Sequence, residues 1–554
     1  MRWLLVGAAI VYAVAHLLAL FTDNINWDEL ALFDRANKTL LSGTLQAGGR
    51  PGLGVIVLLP FVDSCHDTMG MMHTARVAWS LFTFALLGGL FAFVRLAIRR
   101  THHATAVAGG AVFLFACVPL FLRWSLHVRT DQPAIAAAVW GGVALLASRQ
   151  RAAWSIAAGG CIALGYLFSQ KAIYISGLVG LVAAGDVFID GAPVDLRLHV
   201  RRLAGLVFGG VAVLAAYKLI VPLFFVPARV MSLDEGADLF AWYRRMLHFR
   251  IYAAMSSSVY PMIALLVLAI GATWRAFRVR SSERRALVVS LIVAAAGVGV
   301  ARFHTASFPY FWITLGIFPV TAIALAWGGI REWLPRAHIP IAIACILGTL
   351  VVAVLYRRET LRDTQEIQRV SLGAIDQFPA ALRGFLPDGG MVCRADPDPM
   401  LVYLGQHVAQ RFESPSAAPA FIAEFRNRPI AFLVETHRMR SFPREVREFW
   451  DATYLPYAGA VRLAGQRIGA PRMIELVVSG HYRWRGLGRV RVNQIELGDG
   501  DVIDLAAGHY EATPVGVATG TLWLDVGVPF SPGVAPFYDE MIGIELAGMR
   551  RRWW

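Results

Sequence analysis

Residues 74–98 read TARVAWSLFTFALLGGLFAFVRLAI. Between Arg76 and Arg95 the stretch holds no ionisable group. A helix needs about 20 such residues to cross the hydrocarbon of a bilayer, so this stretch predicts a transmembrane helix. Comparable apolar runs fall near 3–21, 104–122, 133–148, 153–169, 172–188, 203–224, 259–274, 286–302, 309–328 and 338–356. The 554-residue chain is 57% hydrophobic and only 16% charged, with a mean hydropathy of +0.54. A soluble domain carries about 25% charged residues. The expected fold class is a polytopic α-helical membrane protein of about eleven transmembrane helices. It carries a C-terminal extracytoplasmic domain, α/β and then β-rich.

Arginines punctuate the ends of the runs, and that pattern sets orientation. With the N-terminus inside, the inner loops hold Arg95, Arg99 and Arg100, then Arg149 and Arg151, then Arg197, Arg201 and Arg202. Arg275, Arg278, Arg280, Arg284 and Arg285 follow, and then Arg331 and Arg336. An odd number of spans places residues 357–554 outside. The first run ends Leu18-Ala19-Leu20-Phe21-Thr22-Asp23, without the small residues of a cleavage site, so it is expected to be retained as a helix. The net charge of +14 is spread over these loops, not gathered on one soluble face, which argues against a nucleic-acid partner. Of five cysteines, Cys65 and Cys393 lie outside the apolar runs; no Cys/His cluster points to a metal.

The chain divides into a membrane domain over 1–356, an α/β domain over 357–470 and a β-rich domain over 471–554, the last with glycine turns at Gly498 to Asp501 and at Gly508. In the long first outer loop, residues 27–41 mix apolar and charged positions as a surface helix does. Asn26, with Glu29 three residues on, resembles a capping box. Residues 51–61 are apolar but too short to span.

Four places carry candidate chemistry. Asp28 and Glu29 follow the first membrane helix directly. Carboxylates favour the first turn of a helix; at the outer membrane surface they are also placed to take a proton from an acceptor hydroxyl. Asp131 sits at the outer end of the fourth helix behind Arg123, His127 and Arg129, as a structural ion pair or as a functional acid. Arg50 and Lys171 are cations at outer-membrane depth, suited to a lipid phosphate; Lys171 is equally suited to snorkel to the interface. His304 and Tyr310 flank the start of the tenth helix. The chain holds no P-loop, dinucleotide fingerprint, nucleophile elbow or zinc-protease motif. An outward-facing sugar transferase would lack nucleotide sugars and would need a lipid-linked donor.

This arrangement resembles the GT-C superfamily of polyprenyl-phosphate-sugar-dependent glycosyltransferases, in particular the bacterial aminoarabinose transferases, protein O-mannosyltransferases and rhizobial lipopolysaccharide sugar transferases. The likeness covers about residues 1–330. It rests on Asn26-Trp27-Asp28-Glu29 after the first helix, Arg50-Pro51-Gly52, His73-Thr74-Ala75-Arg76, Val128-Arg129-Thr130-Asp131, and Ser169-Gln170-Lys171. Members often have two prolines after the cation, whereas here Gly52 follows Pro51. The resemblance implies an inverting transfer at a bacterial inner membrane with a periplasmic active site. Asp28 is then the base and Asp131 a second acid, with Glu29 beside them. Arg50, Lys171, Arg129 and His304 are placed at the donor phosphate. The donor is a polyprenyl-phosphate-linked sugar, and the acceptor is a glycan, lipid or protein hydroxyl. No cofactor is implied; a divalent cation is compatible, but no residue points to one. Two other readings stand beside this one. A lipid-linked glycan ligase or polymerase would use outer-loop arginines such as Arg244, Arg245 and Arg250. A lipid or polysaccharide transporter would place ionisable groups at mid-membrane, often in two related halves.

Overall fold

The computed structural model describes residues 2–47, 51–64, 67–97, 104–148, 151–177, 196–227, 336–360, 365–379, 382–385, 414–428, 430–436 and 442–528, with a few isolated positions around 320–327, 412, 439 and 531–532. The runs at 259–274 and 286–302, most of those at 172–188 and 309–328, and the residues Arg50, Cys65, His304 and Cys393 lie outside the described residues.

The membrane part begins with α1 (Arg2–Ala19) and α2 (Trp27–Ser42). Asn26 caps α2: its side chain accepts from Asp28 N, and Glu29 reaches back to Asn26 N, so the expected capping box is present. Gly43 ends the helix in the left-handed conformation (φ 66°), which a residue without Cβ adopts freely. Leu30, Phe33 and Ala36 recur every three residues and form its buried face. The apolar stretch after Pro51 folds as two short helices, α3 (Leu53–Ile56) and α4 (Leu59–Asp63). β1 (Thr44–Leu45) pairs in parallel with β2 (Val226–Pro227), tying this loop to the far end of the domain.

The stretch at 74–98 lies within α5 (Thr68–Ala97), which starts one and a half turns earlier than the apolar run. Asp67 accounts for that start by accepting from the free amides of Met69 and Gly70. The run at 104–122 is not one helix but two, α6 (Ala104–Ala116) and α7 (Pro119–Trp124). Pro119 cannot continue a helix ladder and opens the second as its first residue. α8 (Asp131–Ala147), α9 (Trp154–Phe168) and α10 (Leu196–Phe224) complete a packed layer. α9 and α10 cross with backbones touching: a Cβ at Gly159 would lie 1.9 Å from Leu206 O, and one at Gly209 2.0 Å from Ile156 O. Arg202 donates to Leu145 O and Ser148 at the C-terminus of α8, where cations offset unpaired carbonyls. Among the described residues, three helices are long and apolar enough to cross a membrane: Thr68–Leu96, Arg197–Phe224 and His338–Leu355, the last within α11 (His338–Thr360).

Beyond α11 lie α12 (Glu366–Gln377), β3 (Arg383–Phe385), α13 (Ala417–Asn427), β4 (Ile430–Val434), α14 (Arg444–Thr453), β5 (Tyr454–Gly459), β6 (Val461–Ile468), β7 (Arg472–Leu476), β8 (Gly480–Val492), β9 (Ile495–Leu497), β10 (Val502–Leu505) and β11 (Gly508–Leu524). The sheet order is β10-β8-β11-β6-β4-β3. Because β6 pairs with both β4 and β11, the sheet runs unbroken across residue 470. On β8, Tyr482, Trp484, Val490 and Val492 face the core, while Arg483, Arg485, Arg489 and Arg491 face out, the two-residue period of a half-buried strand. One continuous core holds Leu30, Phe33 and Trp79 of the membrane part together with Leu372, Ile375, Phe432 and Trp484.

Candidate active site

The site is assembled where the N-terminus of α2, the first turns of α5 and the loop between α7 and α8 meet. Arg76 of α5 is wholly buried and donates bidentately to Glu29, from Nε to Oε2 (2.9 Å) and from Nη2 to Oε1 (2.7 Å). Its remaining donors reach Leu20 O (3.0 Å), Asp23 O (2.7 Å) and Asn24 O (2.8 Å), carbonyls at the end of α1 and just beyond. Glu29 also receives Val128 N (3.0 Å) and lies 2.6 Å from His127 Nδ1. Burial alone would raise the Glu29 carboxyl; the Arg76 guanidinium and the His127 ring reverse that and hold it well below the usual carboxylate range. Glu29 is therefore a fixed anion at the junction of three elements, with its oxygens occupied.

Asp28, one residue earlier, is different. Its side chain is 23% exposed and meets Arg129 Nη1 in an ion pair. Arg129 Nε lies 3.6 Å from Asp131 Oδ2, and the same oxygen is 3.0 Å from Lys171 Nζ. Ser169 Oγ donates to the other Asp131 oxygen at 3.3 Å. The residues from Asp28 through Arg129 and Asp131 to Lys171 thus form a chain of alternating charge, closed at one end by a partly exposed carboxylate. The loop carrying Arg129 is rigidly held: Trp79 Nε1 donates to Arg129 O (2.7 Å), Gln132 Nε2 to His127 O (2.7 Å), and the guanidinium stacks on Trp124 at 5.6 Å. Such a cluster offers a carboxylate that can accept a proton and cations that can bind a phosphate.

Of the residues singled out in the sequence, Asp28, Glu29, Arg129, Asp131 and Lys171 converge here. Arg50 and His304 lie outside the described residues, although Gly52, two residues after Arg50, is anchored by its N–H to Tyr217 Oη at 3.0 Å. Among the described residues no group of three or more His, Cys, Asp and Glu side chains is arranged to hold a metal. Sequence reading gave Arg76 no role. The signal was its position, a guanidinium at the head of an apolar run, costly unless paired.

Two solved structures share this arrangement of elements over nearly their whole length. ArnT from Cupriavidus metallidurans in the apo state is 12% identical, with a TM-score of 0.51 over 84% of this chain and 97% of that one. ArnT from the same organism bound to undecaprenyl phosphate is 13% identical, with a TM-score of 0.51 over 84% and 98%. The chain has the GT-C fold. In this chain Ile25, Leu30 and Phe33, which flank Asp28, share a core with Leu372, Ile375 and Phe432 of the C-terminal region. The archaeal oligosaccharyltransferase AglB from Archaeoglobus fulgidus, in complex with an inhibitory peptide and a dolichol-phosphate, matches at 13% identity and a TM-score of 0.43 over 82% and 74%. No protein-family model and no curated protein matches the sequence.

Proposed function

We propose that this chain is an inverting membrane glycosyltransferase. It moves a single sugar from a polyprenyl-phosphate donor to a hydroxyl of an envelope glycan, lipid or protein on the periplasmic side of a bacterial inner membrane. The observation that carries the reading is the Asp28–Arg129–Asp131–Lys171 cluster at the head of α2, built on the GT-C fold. A solved neighbour of that fold is bound to undecaprenyl phosphate, a ligand of the chemistry that such cations would hold.

In this mechanism the donor's phosphodiester engages Arg129 and Lys171, with Arg50 a further cation of the same loop system. The acceptor oxygen attacks the anomeric carbon from the face opposite the phosphate. Its proton passes to an Asp28 carboxylate oxygen, the new glycosidic bond forms, and the carbon–oxygen bond to the phosphate breaks with inversion. The leaving polyprenyl phosphate takes the electron pair and needs no general acid. Glu29 takes no part in the proton transfer, because Arg76, His127 and Val128 N occupy its oxygens.

The test is a comparison of envelope glycans from a deletion strain, its parent, and the strain complemented with the intact chain or with Asp28→Asn. The expected result is one sugar missing from a glycan, lipid or protein of the deletion strain, restored by the intact chain and not by Asp28→Asn. Loss of a whole repeat-unit polymer would favour a ligase or polymerase, and accumulation of an unmodified lipid-linked precursor on the inner face a transporter.

A further inference from the structure

The segment 22–25 joins α1 to the cap of the helix that carries Asp28, and it is gripped from the C-terminal domain. Gln368 of α12 accepts from Ile25 N (2.7 Å) and donates to Ile25 O (3.0 Å), pairing with one residue's backbone as a neighbouring strand would. Gln365, just before α12, donates to Asp23 O and takes His73 Nε2 as its other partner at 2.9 Å. Both glutamines are buried, at 0% and 1% exposure, so these bonds are shielded from water in the folded protein. Ile25 packs in the same core as Leu372 and Ile375 of α12.

The other attachments of α12 make the grip rigid. Ser371 Oγ accepts from Ala460 N at 2.7 Å, at the turn between β5 and β6. Gly459 there approaches so closely that a Cβ would meet Ser371 Oγ at 2.4 Å. Near the end of the helix, Asp376 accepts from Thr68 N (2.8 Å) and Thr68 Oγ1 (2.6 Å), the first residue of α5. α12 is therefore fastened to the sheet, to α5 and to the backbone leading into α2.

We propose that Gln365 and Gln368 are positioning residues: through them the C-terminal domain sets the place of the Asp28 carboxylate. This rests on Asp28 being the base. The 22–25 backbone has two clamps that meet at Asp23 O: Arg76 from the membrane side, which also holds Asn24 O, and the glutamines from the domain side, which also hold Ile25. Releasing one shifts the entry to α2 without removing any group that contacts the donor.

The experiment uses the purified full-length chain in lipid nanodiscs. Gln368→Met keeps the side-chain length and removes both amide bonds. Hydrogen exchange of a peptide covering 22–30 is expected to quicken roughly tenfold at Ile25, while peptides from β8 exchange as before. Binding of undecaprenyl phosphate, used as the probe, should stay within about twofold, whereas restoration of envelope glycan in the deletion strain falls about tenfold or more. In an Asp28→Asn background, Gln368→Met should add no further loss, because the two act as a unit. Gln368→Glu, which still accepts from Ile25 N, should be intermediate, and it serves if the Met variant does not fold. Parental exchange at 22–30 together with parental glycan restoration would overturn the proposal, as would a loss of probe binding equal to the loss of transfer. If Asp28→Asn alone restores glycan normally, the proposed base is wrong, and quickened exchange at Ile25 would then show a grip that serves structure only.

Discussion

Asp28 and Glu29 show what adjacent residues of one chemistry become in a fold. The sequence offered both as carboxylates on the first turn of a helix, and the capping box was legible from the three-residue spacing of Asn26 and Glu29. Their separation into an anchored anion and a partly exposed carboxylate was not, because it depends on Arg76, 47 residues away, and His127, 98 residues away. Removing one partner of such a buried pair leaves the other charge unpaired, so Glu29→Gln is expected to destabilise the protein by about 3–5 kcal/mol at neutral pH. Folding holds this carboxyl below its unfolded value. Its stabilisation is therefore complete above an unfolded pKa of about 4.3 and is lost as the pH falls through and below that range. Melting curves of parent and Glu29→Gln in detergent should be well separated at pH 7 and converge below about pH 4. A constant separation down to about pH 3 would show that the Arg76–Glu29 ion pair is not the source.

Among the elements, the long apolar runs were readable in the sequence; α1, α8 and α9 match theirs to within two residues, while α5 and α10 begin six and seven residues before theirs. What composition hid was punctuation: Pro119 divides one run in two, and Asp67 and Asp376 start α5 upstream of its apolar part. The glycines of α9 and α10 read as ordinary apolar-run residues, yet Gly159 and Gly209 let the two helices cross with their backbones in contact. Gly209→Val should force α9 and α10 apart, costing about 1–3 kcal/mol or more, seen as a lower melting temperature and reduced yield of folded protein. A Cβ added at Gly348 of α11 would meet nothing within 4 Å, so Gly348→Ala should leave both within error. In the sheet, the alternation on β8 was legible as strand, but not that β6 would carry pairing across residue 470. Trp484→Ala, which empties a fully buried site, is expected to cost about 3–5 kcal/mol, measured as loss of the C-terminal domain's protease resistance.

For the whole molecule, the C-terminal region is not an appendage. It shares a core with the loop and helix that follow α1 and holds the backbone that leads to Asp28, a relation written in Gln368, 343 residues downstream of Ile25, and in Gln365, and illegible without the fold. Such a contact requires the loop after α1 and the C-terminal region to lie on one side of the membrane. Reporter fusions after Arg280 and after Arg358 should then report inside and outside, respectively; a fusion after Arg280 active only outside would invert the orientation. On the proposed mechanism Asp28 is the base for transfer from a polyprenyl-phosphate sugar. The most direct measurement supplies the purified chain in vesicles with lipid-linked sugars extracted from the parent strain and with envelope from the deletion strain as acceptor. Sugar transfer is then followed for the intact chain and for Asp28→Asn. The intact chain should transfer sugar, and Asp28→Asn should be slower by about 10²–10⁴-fold with undecaprenyl phosphate binding retained. Transfer by Asp28→Asn at the parental rate would contradict the account.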